Sequence, residues 1–222
     1  MREYVVLHVL RHHRNLSTVI EARNNNEWKQ IIEPPAHERN IGVMGLGILG
    51  LDCAKAIKNL GFNVSGWSKS KKELNGIKTF TGKNNLKNFI QNIEILVCML
   101  PLTNETRGIL NMGLFSQMKK GACLINTARG GIINERDLCI ALQEKLIAGA
   151  AIDVFEDEPY SGELVKHDNC ILTAHMGSMT ADCRARMEIE ATEEVIRFLK
   201  GTALKGKVPE DEYEIQRKGF IT

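Results

Sequence analysis

Ile41-Gly42-Val43-Met44-Gly45-Leu46-Gly47-Ile48-Leu49-Gly50 is the stretch whose reading decides the fold. A short apolar run leads into Gly45-x-Gly47-x-x-Gly50, and an amphipathic segment, Cys53 to Leu60, follows at once. Strand, tight glycine turn and helix start are the context that a dinucleotide fingerprint requires. Gly45 permits the turn, Gly47 lets backbone approach a pyrophosphate, and Gly50 lets the helix pack closely. Phosphates would then meet free N–H groups at the positive end of a helix dipole. Glycine-rich turns also arise for purely steric reasons, so the surrounding chain has to decide.

Outward from this stretch, strands and helices alternate. Ile41–Met44 is the first strand, and its helix runs to about Leu60, where Gly61 stops it. Strands are expected at Asn63–Trp67, Ile95–Leu100, Ala122–Asn126, Ala148–Phe155 and Cys170–Thr173. Helical segments are expected at Asn84–Gln91, Met112–Met118, Glu135–Glu144 (capped by Asn134) and Ala181–Leu199 (capped by Thr180). Such alternation, with nearly continuous apolar strands, predicts an α/β, Rossmann-type doubly wound parallel sheet. Upstream, Tyr4 to Leu10 reads as one helix ending in a basic turn, Arg11-His12-His13-Arg14. No further ligand stands at metal spacing, so His12 and His13 read as helix-end cations, with no metal site. Asn24-Asn25-Asn26 and Pro34-Pro35 mark a loop and a linker. The expected organisation is a helical arm over 1–35, a nucleotide domain over 36–175, and a C-terminal helix with a polar, loose tail over 176–222.

The composition narrows the function. The 222 residues are 43% hydrophobic and 25% charged, with a net charge of +2, an ordinary globular mix that argues against nucleic acid or membrane as partner. No apolar run approaches the ~20 residues that span a bilayer, and the N-terminus shows no secretory pattern. The six cysteines, Cys53, Cys98, Cys123, Cys139, Cys170 and Cys183, form no C-x-x-C pair. They read as free thiols of a reducing compartment, the cytoplasm.

At the end of the second strand, where an acid would bind a ribose hydroxyl, the chain reads Trp67-Ser68-Lys69-Ser70-Lys71-Lys72. A hydroxyl and cations welcome a 2′-phosphate, so NADP(H) is expected over NAD(H), with NAD(H) possible. The alternative is a solvated lysine loop. Beyond later strand ends stand Arg129, Asp153, Glu158 and His175, where an open α/β sheet binds ligands.

Gly45-Leu46-Gly47-x-x-Gly50, Pro101-Leu102-Thr103-x-x-Thr106-x-Gly108, Asn126-Thr127-Ala128-Arg129-Gly130, Asp153-Val154-Phe155-x-x-Glu158-Pro159 and Thr173-x-His175 stand in one order and spacing. Together they resemble the D-isomer-specific 2-hydroxyacid dehydrogenases, from about Glu3 to Gly201, and most nearly the glyoxylate/hydroxypyruvate reductases. The resemblance implies NAD(P)H-dependent reduction of a small 2-oxo acid. It puts the catalytic arginine on Arg129, whose planar guanidinium can hold a carboxylate by two parallel hydrogen bonds. The general acid/base falls on His175, and its supporting acid on Glu158. Asp153 matches the residue near the nicotinamide carboxamide. The implied cofactor contacts are Gly45, Gly47, Ile48, Leu49, Gly50, Ser68, Lys69, Ser70, Leu100, Pro101, Thr106, Thr127, Ala128, Arg129, Asp153, His175 and Gly177.

Two departures from the family pattern stand out. Ala174 replaces the usual proline before the histidine, which loosens the expected loop. Most of the family's substrate domain has no counterpart before Glu3, so apolar positions Met187, Ile189, Val195, Ile196, Phe198 and Leu199 of the last helix are expected to lack part of their burial. The arm Glu3–Glu27 is expected to serve a homodimer. A nucleotide-binding remnant without turnover is the alternative. A β-hydroxyacid dehydrogenase shares the glycine turn, but leaves Asn126–Gly130 and the Glu158/His175 pair unexplained.

Overall fold

The computed structural model describes residues 1–205, and the tail expected to be loose, 210–222, lies outside them. Two helices open the chain, α1 (Arg2–His13) and α2 (Leu16–Asn24). The strands are β1 (Asn40–Met44), β2 (Asn63–Ser68), β3 (Lys78–Thr81), β4 (Ile95–Cys98), β5 (Ala122–Asn126), β6 (Ile147–Ile152) and β7 (Cys170–Leu172). Between and after them come α3 (Ile48–Asn59), α4 (Leu86–Ile90), α5 (Met112–Phe115), α6 (Glu135–Gln143) and α7 (Ala181–Leu199).

All seven strands pair in parallel, in the order β3-β2-β1-β4-β5-β6-β7. Successive strand residues point to opposite faces, and each face has its own core. Met44, Leu96, Cys98, Leu124 and Ile152 pack on one side with α5 and α6. Ile41, Val43, Val97, Ile125 and Ala151 pack on the other with α3 and α1. The helices are capped as expected: Asn134 accepts from the Asp137 amide and Thr180 from the Cys183 amide. The doubly wound parallel sheet predicted from the alternation is the observed architecture.

Several details differ from the sequence reading. β3 was not anticipated: it is a four-residue edge strand with a lysine at its head, too short and polar to show an apolar run. The strands expected at Ile95–Leu100 and Ala148–Phe155 end earlier, at Cys98 and Ile152, where the chain leaves the sheet to build loops. α2 occupies part of the region before the asparagine loop. α1 covers the sheet directly, with Val5 and Val9 wholly buried.

His12 and His13 are not cations. Burial lowers the pKa of His12 to about 4, helped by neighbouring His8 and Arg11, and burial likewise lowers those of His8 and His13. Among the described residues, their ring nitrogens His8 Nδ1, His12 Nε2 and His13 Nδ1 are buried without hydrogen-bond partners. Packing has overridden the helix-end position. The apolar residues of α7 do lie open, Phe198 at 71% and Leu199 at 77% exposure.

Candidate active site

The β1–α3 turn is built by three glycines with different duties. Gly45 has φ +97°, and its amide donates to the Trp67 carbonyl at 2.8 Å. A side chain there would meet the Met99 carbonyl oxygen at 2.5 Å, and one at Gly50 would meet the Gly45 carbonyl oxygen at 1.8 Å. Gly47 faces open space, with nothing within 4 Å of a would-be Cβ. The first amides of α3 have no intrahelical partner, and no side chain caps them. Ile48 (91% exposed) and Leu49 stand outside on the same turn.

From this turn a cleft of about 620 Å³ runs over the ends of β2 and β4. Gly45, Gly47, Ser68, Lys69, Ser70, Leu100, Pro101 and Thr106 line it, as expected of them, together with Lys72, Lys83 and Glu105. Ser68 is buried and donates to the Ser70 carbonyl at 2.6 Å, which curls the loop back over the strand end. Trp67 Nε1 donates to the Gly82 carbonyl at 3.0 Å, tying the β3 end to the same rim. Thr106 Oγ1 donates to the Pro101 carbonyl at 2.6 Å and shapes the opposite wall. Lys69 Nζ meets Glu105 Oε2 at 3.0 Å, and that hydrogen bond lowers the Glu105 pKa. The lining fits a phosphorylated dinucleotide: open backbone at Gly47, no carboxylate on the β2 end itself, and Lys69, Lys72 and Lys83 around it.

The remaining residues gather past β5, β6 and β7. Asn126 is fully buried; its Oδ1 accepts from the Ala128 amide and its Nδ2 donates to the Arg129 carbonyl, both at 3.2 Å. This presents the exposed Arg129, whose guanidinium among the described residues makes one hydrogen bond, to its neighbour's carbonyl at 2.7 Å, and no ion pair. Gly130 packs on the backbone of Phe155, so the Arg129 loop abuts the loop of Glu158. His175 Nδ1 lies 3.0 Å from Glu158 Oε2, while Glu158 Oε1 accepts from the Phe155 amide at 3.0 Å. Beside this pair lies a second hollow of about 580 Å³, with Tyr160, Val165 and Leu172 in its wall, which no motif announced.

Asp153 is 99% enclosed, and its carboxylate accepts from Thr173 Oγ1 (2.6 Å), the Met176 amide (2.8 Å) and the Gly177 amide (2.7 Å). The histidine loop is therefore firmly tied despite Ala174. Arg129 and Glu158/His175 stand on neighbouring loops, and among the described residues no hydrogen bond or ion pair joins them. Thr127 and Ala128 are buried, and Thr127 Oγ1 donates to Met99 Sδ at 3.0 Å.

The comparisons with known proteins bear on this arrangement. Residues 6–177 match the profile of the D-isomer specific 2-hydroxyacid dehydrogenase, NAD binding domain. The chain belongs to this dehydrogenase family. A glyoxylate/hydroxypyruvate reductase A of Citrobacter koseri is 35% identical over 210 residues, covering 94% of this chain and 67% of the relative. A D-isomer specific 2-hydroxyacid dehydrogenase of Xanthobacter autotrophicus, solved with NADPH and MES, superposes with a TM-score of 0.87 at 35% identity over 97% of this chain and 88% of that one. The NADPH-dependent glyoxylate/hydroxypyruvate reductase of Sinorhizobium meliloti, solved with NADP and sulfate, gives 0.86 at 32% identity over 97% and 69%. The chain thus spans about two thirds of the curated relative's length. Both solved relatives hold the phosphorylated cofactor that the Trp67–Lys72 loop of this dehydrogenase-family chain led us to expect.

The sequence reading missed Lys83, Glu105 and the Gly82 carbonyl in the nucleotide cleft, because they lie just past β3 and on a distant loop. It also missed Tyr4, whose Oη lies 2.6 Å from Thr173 Oγ1. Among the described residues there is no metal-binding cluster, and no helix is long and apolar enough to cross a membrane.

Proposed function

We propose that this chain carries the nucleotide-binding and proton-transfer machinery for reducing a small 2-oxo acid, of the glyoxylate or hydroxypyruvate type, to the D-2-hydroxy acid with NADPH. The Glu158–His175 pair at 3.0 Å, on loops at the carboxyl ends of the sheet that the glycine turn serves, carries the reading. NADPH, when bound, supplies the hydride. Gly45, Gly47 and Gly50 shape the turn for its pyrophosphate, and Ser68, Lys69 and Ser70 receive its 2′-phosphate, with Lys72 and Lys83 adding charge. Leu100, Pro101 and Thr106 shape the cleft, Ile48, Leu49, Thr127, Ala128 and Gly177 are further contacts for the cofactor, and Asp153 orders the loop at its nicotinamide end.

Arg129 has a guanidinium free of carboxylate partners among the described residues, and it takes the substrate carboxylate in a two-pronged grip. Glu158 holds His175 by Nδ1, which fixes the ring and leaves Nε2 to exchange a proton with the substrate oxygen. In reduction His175 gives that proton as the carbonyl becomes an alcohol; in the reverse direction it takes it back.

The exposed apolar residues of α7 favour a second reading, in which the chain binds NADPH and turns over only with a further covering element. Leu7, Leu16 and Val19 are exposed on α1 and α2, which supports a homodimer through this region. The six free cysteines support a cytoplasmic setting.

The test follows NADPH absorbance with glyoxylate and with hydroxypyruvate, for the chain and its His175→Ala variant. Turnover that disappears in the variant is the expected result. NADPH binding without turnover in both proteins would favour the second reading, and no binding would overturn both.

A further inference from the structure

The loop that carries His175 is held in a conformation it would not adopt alone. His175 has φ +51°, in the left-handed region that a residue with a Cβ avoids. Such a backbone persists only where its surroundings impose it. Here three successive amides are taken by one residue. The His175 amide donates to the Asp153 carbonyl at 2.8 Å, and the next two donate to its carboxylate.

The same carboxylate is anchored from behind. Thr173 Oγ1 donates to Asp153 Oδ1 at 2.6 Å, and Tyr4 Oη lies 2.6 Å from Thr173 Oγ1. A hydroxyl carries a single proton. The threonine has given its proton to the carboxylate, so the phenol must be the donor to the threonine. Burial raises the Tyr4 pKa to about 12, so that proton stays in place at working pH. Tyr4 arrives from α1, 169 residues away in sequence, and its ring leans on His8 at 4.4 Å between centroids. Met1, at the head of the same helix, reaches over Gly177.

We propose that Tyr4 is a positioning residue for the proton donor: through Thr173 and Asp153, its hydroxyl holds the loop that presents His175. The inference rests on the reading of His175 as the general acid. Glu158 fixes the imidazole from its side-chain end, and the Tyr4–Thr173–Asp153 chain fixes it from the backbone. Proton transfer needs the donor within hydrogen-bond reach of the substrate oxygen, so a loosened loop lowers kcat before it alters nucleotide binding.

The experiment is a double-mutant cycle of Tyr4→Phe, Thr173→Val and both together, with Thr173→Ser as the conservative rescue. The readouts are kcat and KM for glyoxylate, the NADPH Kd, and the amide resonances and hydrogen exchange of Met176 and Gly177. Loss of one such hydrogen bond predicts kcat lower by about threefold to tenfold in Tyr4→Phe, with KM and Kd within about twofold. The double variant should fall no further than Thr173→Val, because Tyr4 acts through Thr173. Thr173→Ser should restore kcat, and the two amides should exchange faster in Tyr4→Phe. Independent losses in the double variant, or unchanged exchange in Tyr4→Phe, would overturn the proposal. Should the parent protein bind NADPH without turning over, the second reading of the function is favoured, and the exchange data alone decide whether Tyr4 holds the loop.

Discussion

Replacing Gly50 by alanine is a direct test of how the nucleotide turn is built. The added methyl group would lie 1.8 Å from the Gly45 carbonyl oxygen and 3.3 Å from Met99 Cβ. Ordinary contact needs roughly 1.6 Å more room on the carbonyl side, in an interior packed like an organic crystal. Overfilling such a site costs about 1–3 kcal/mol, and alanine returns at most about 1 kcal/mol through its better helix propensity. The clash wins because its obstacle is backbone, which cannot swing aside as a side chain would. A net loss of about 2 kcal/mol lowers Tm by roughly 4–8 °C in a chain of this size. Because the first turn of α3 must move away from Gly45, NADPH affinity should fall at least about tenfold. Gly47→Ala is the control: it has nothing within 4 Å to strike, so its Tm should stay put while the methyl group obstructs the pyrophosphate. Thermal unfolding followed by circular dichroism, with NADPH titrations by fluorescence, reads both variants. A Gly50→Ala protein with unchanged Tm and Kd would refute the reasoning, as would equal destabilisation by the two substitutions.

Three further outcomes are expected. Lys69→Ala should raise the Kd for NADPH about tenfold and spare NADH, since a charged hydrogen bond to the 2′-phosphate is lost; equal weakening of both cofactors would remove Lys69 from that role. The His12 pKa falls from 6.5 in the unfolded chain to about 4 in the folded one. Between those values the unfolded state binds more protons, so the neutral histidine's contribution is intact above pH ~6.5 and lost as pH falls toward ~4. At pH ~5 the loss from His12 is at most about 2 kcal/mol, and His12→Leu should shrink the difference in urea stability between pH ~7 and pH ~5 by up to that amount. Gly130→Ala places a methyl group 1.8 Å from the Phe155 carbonyl carbon, which should push the Arg129 loop away from the Glu158 loop. Its expected signature is a KM for the oxo acid raised by about tenfold or more with NADPH affinity retained, measured by steady-state kinetics and fluorescence titration.

Local chemistry made the glycine turn, the alternation of strands and helices and the Arg129, Glu158 and His175 motifs legible in advance, because each is written in contiguous residues. The structure adds what contiguity cannot carry. β3 has four residues and a polar edge, so no periodicity announces it. The charge of His12 was misjudged because helix-end position is visible in sequence, whereas burial by the sheet is not. The Asp153 motif gave no sign that its carboxylate also ties down Thr173, Met176 and Gly177, or that Tyr4, from the start of the chain, meets the same threonine. Lys83 lines the nucleotide cleft only because parallel pairing brings the β3 end beside Ser68.

The placement of α1 also has a consequence for the order of assembly. The helix is synthesised before every strand it touches, yet Val5 and Val9 bury against residues as late as Ile125 and Ala151, and Tyr4 waits for Thr173. α1 can therefore lean on α3 and β1 early, but its seat is complete only after β6, and its last tie, Tyr4 to Thr173, forms only after β7. A nascent chain stalled before β5 would leave Val5 and Val9 only partly covered and the β4 edge unpaired, which makes that interval the one in which a chaperone has most to hold.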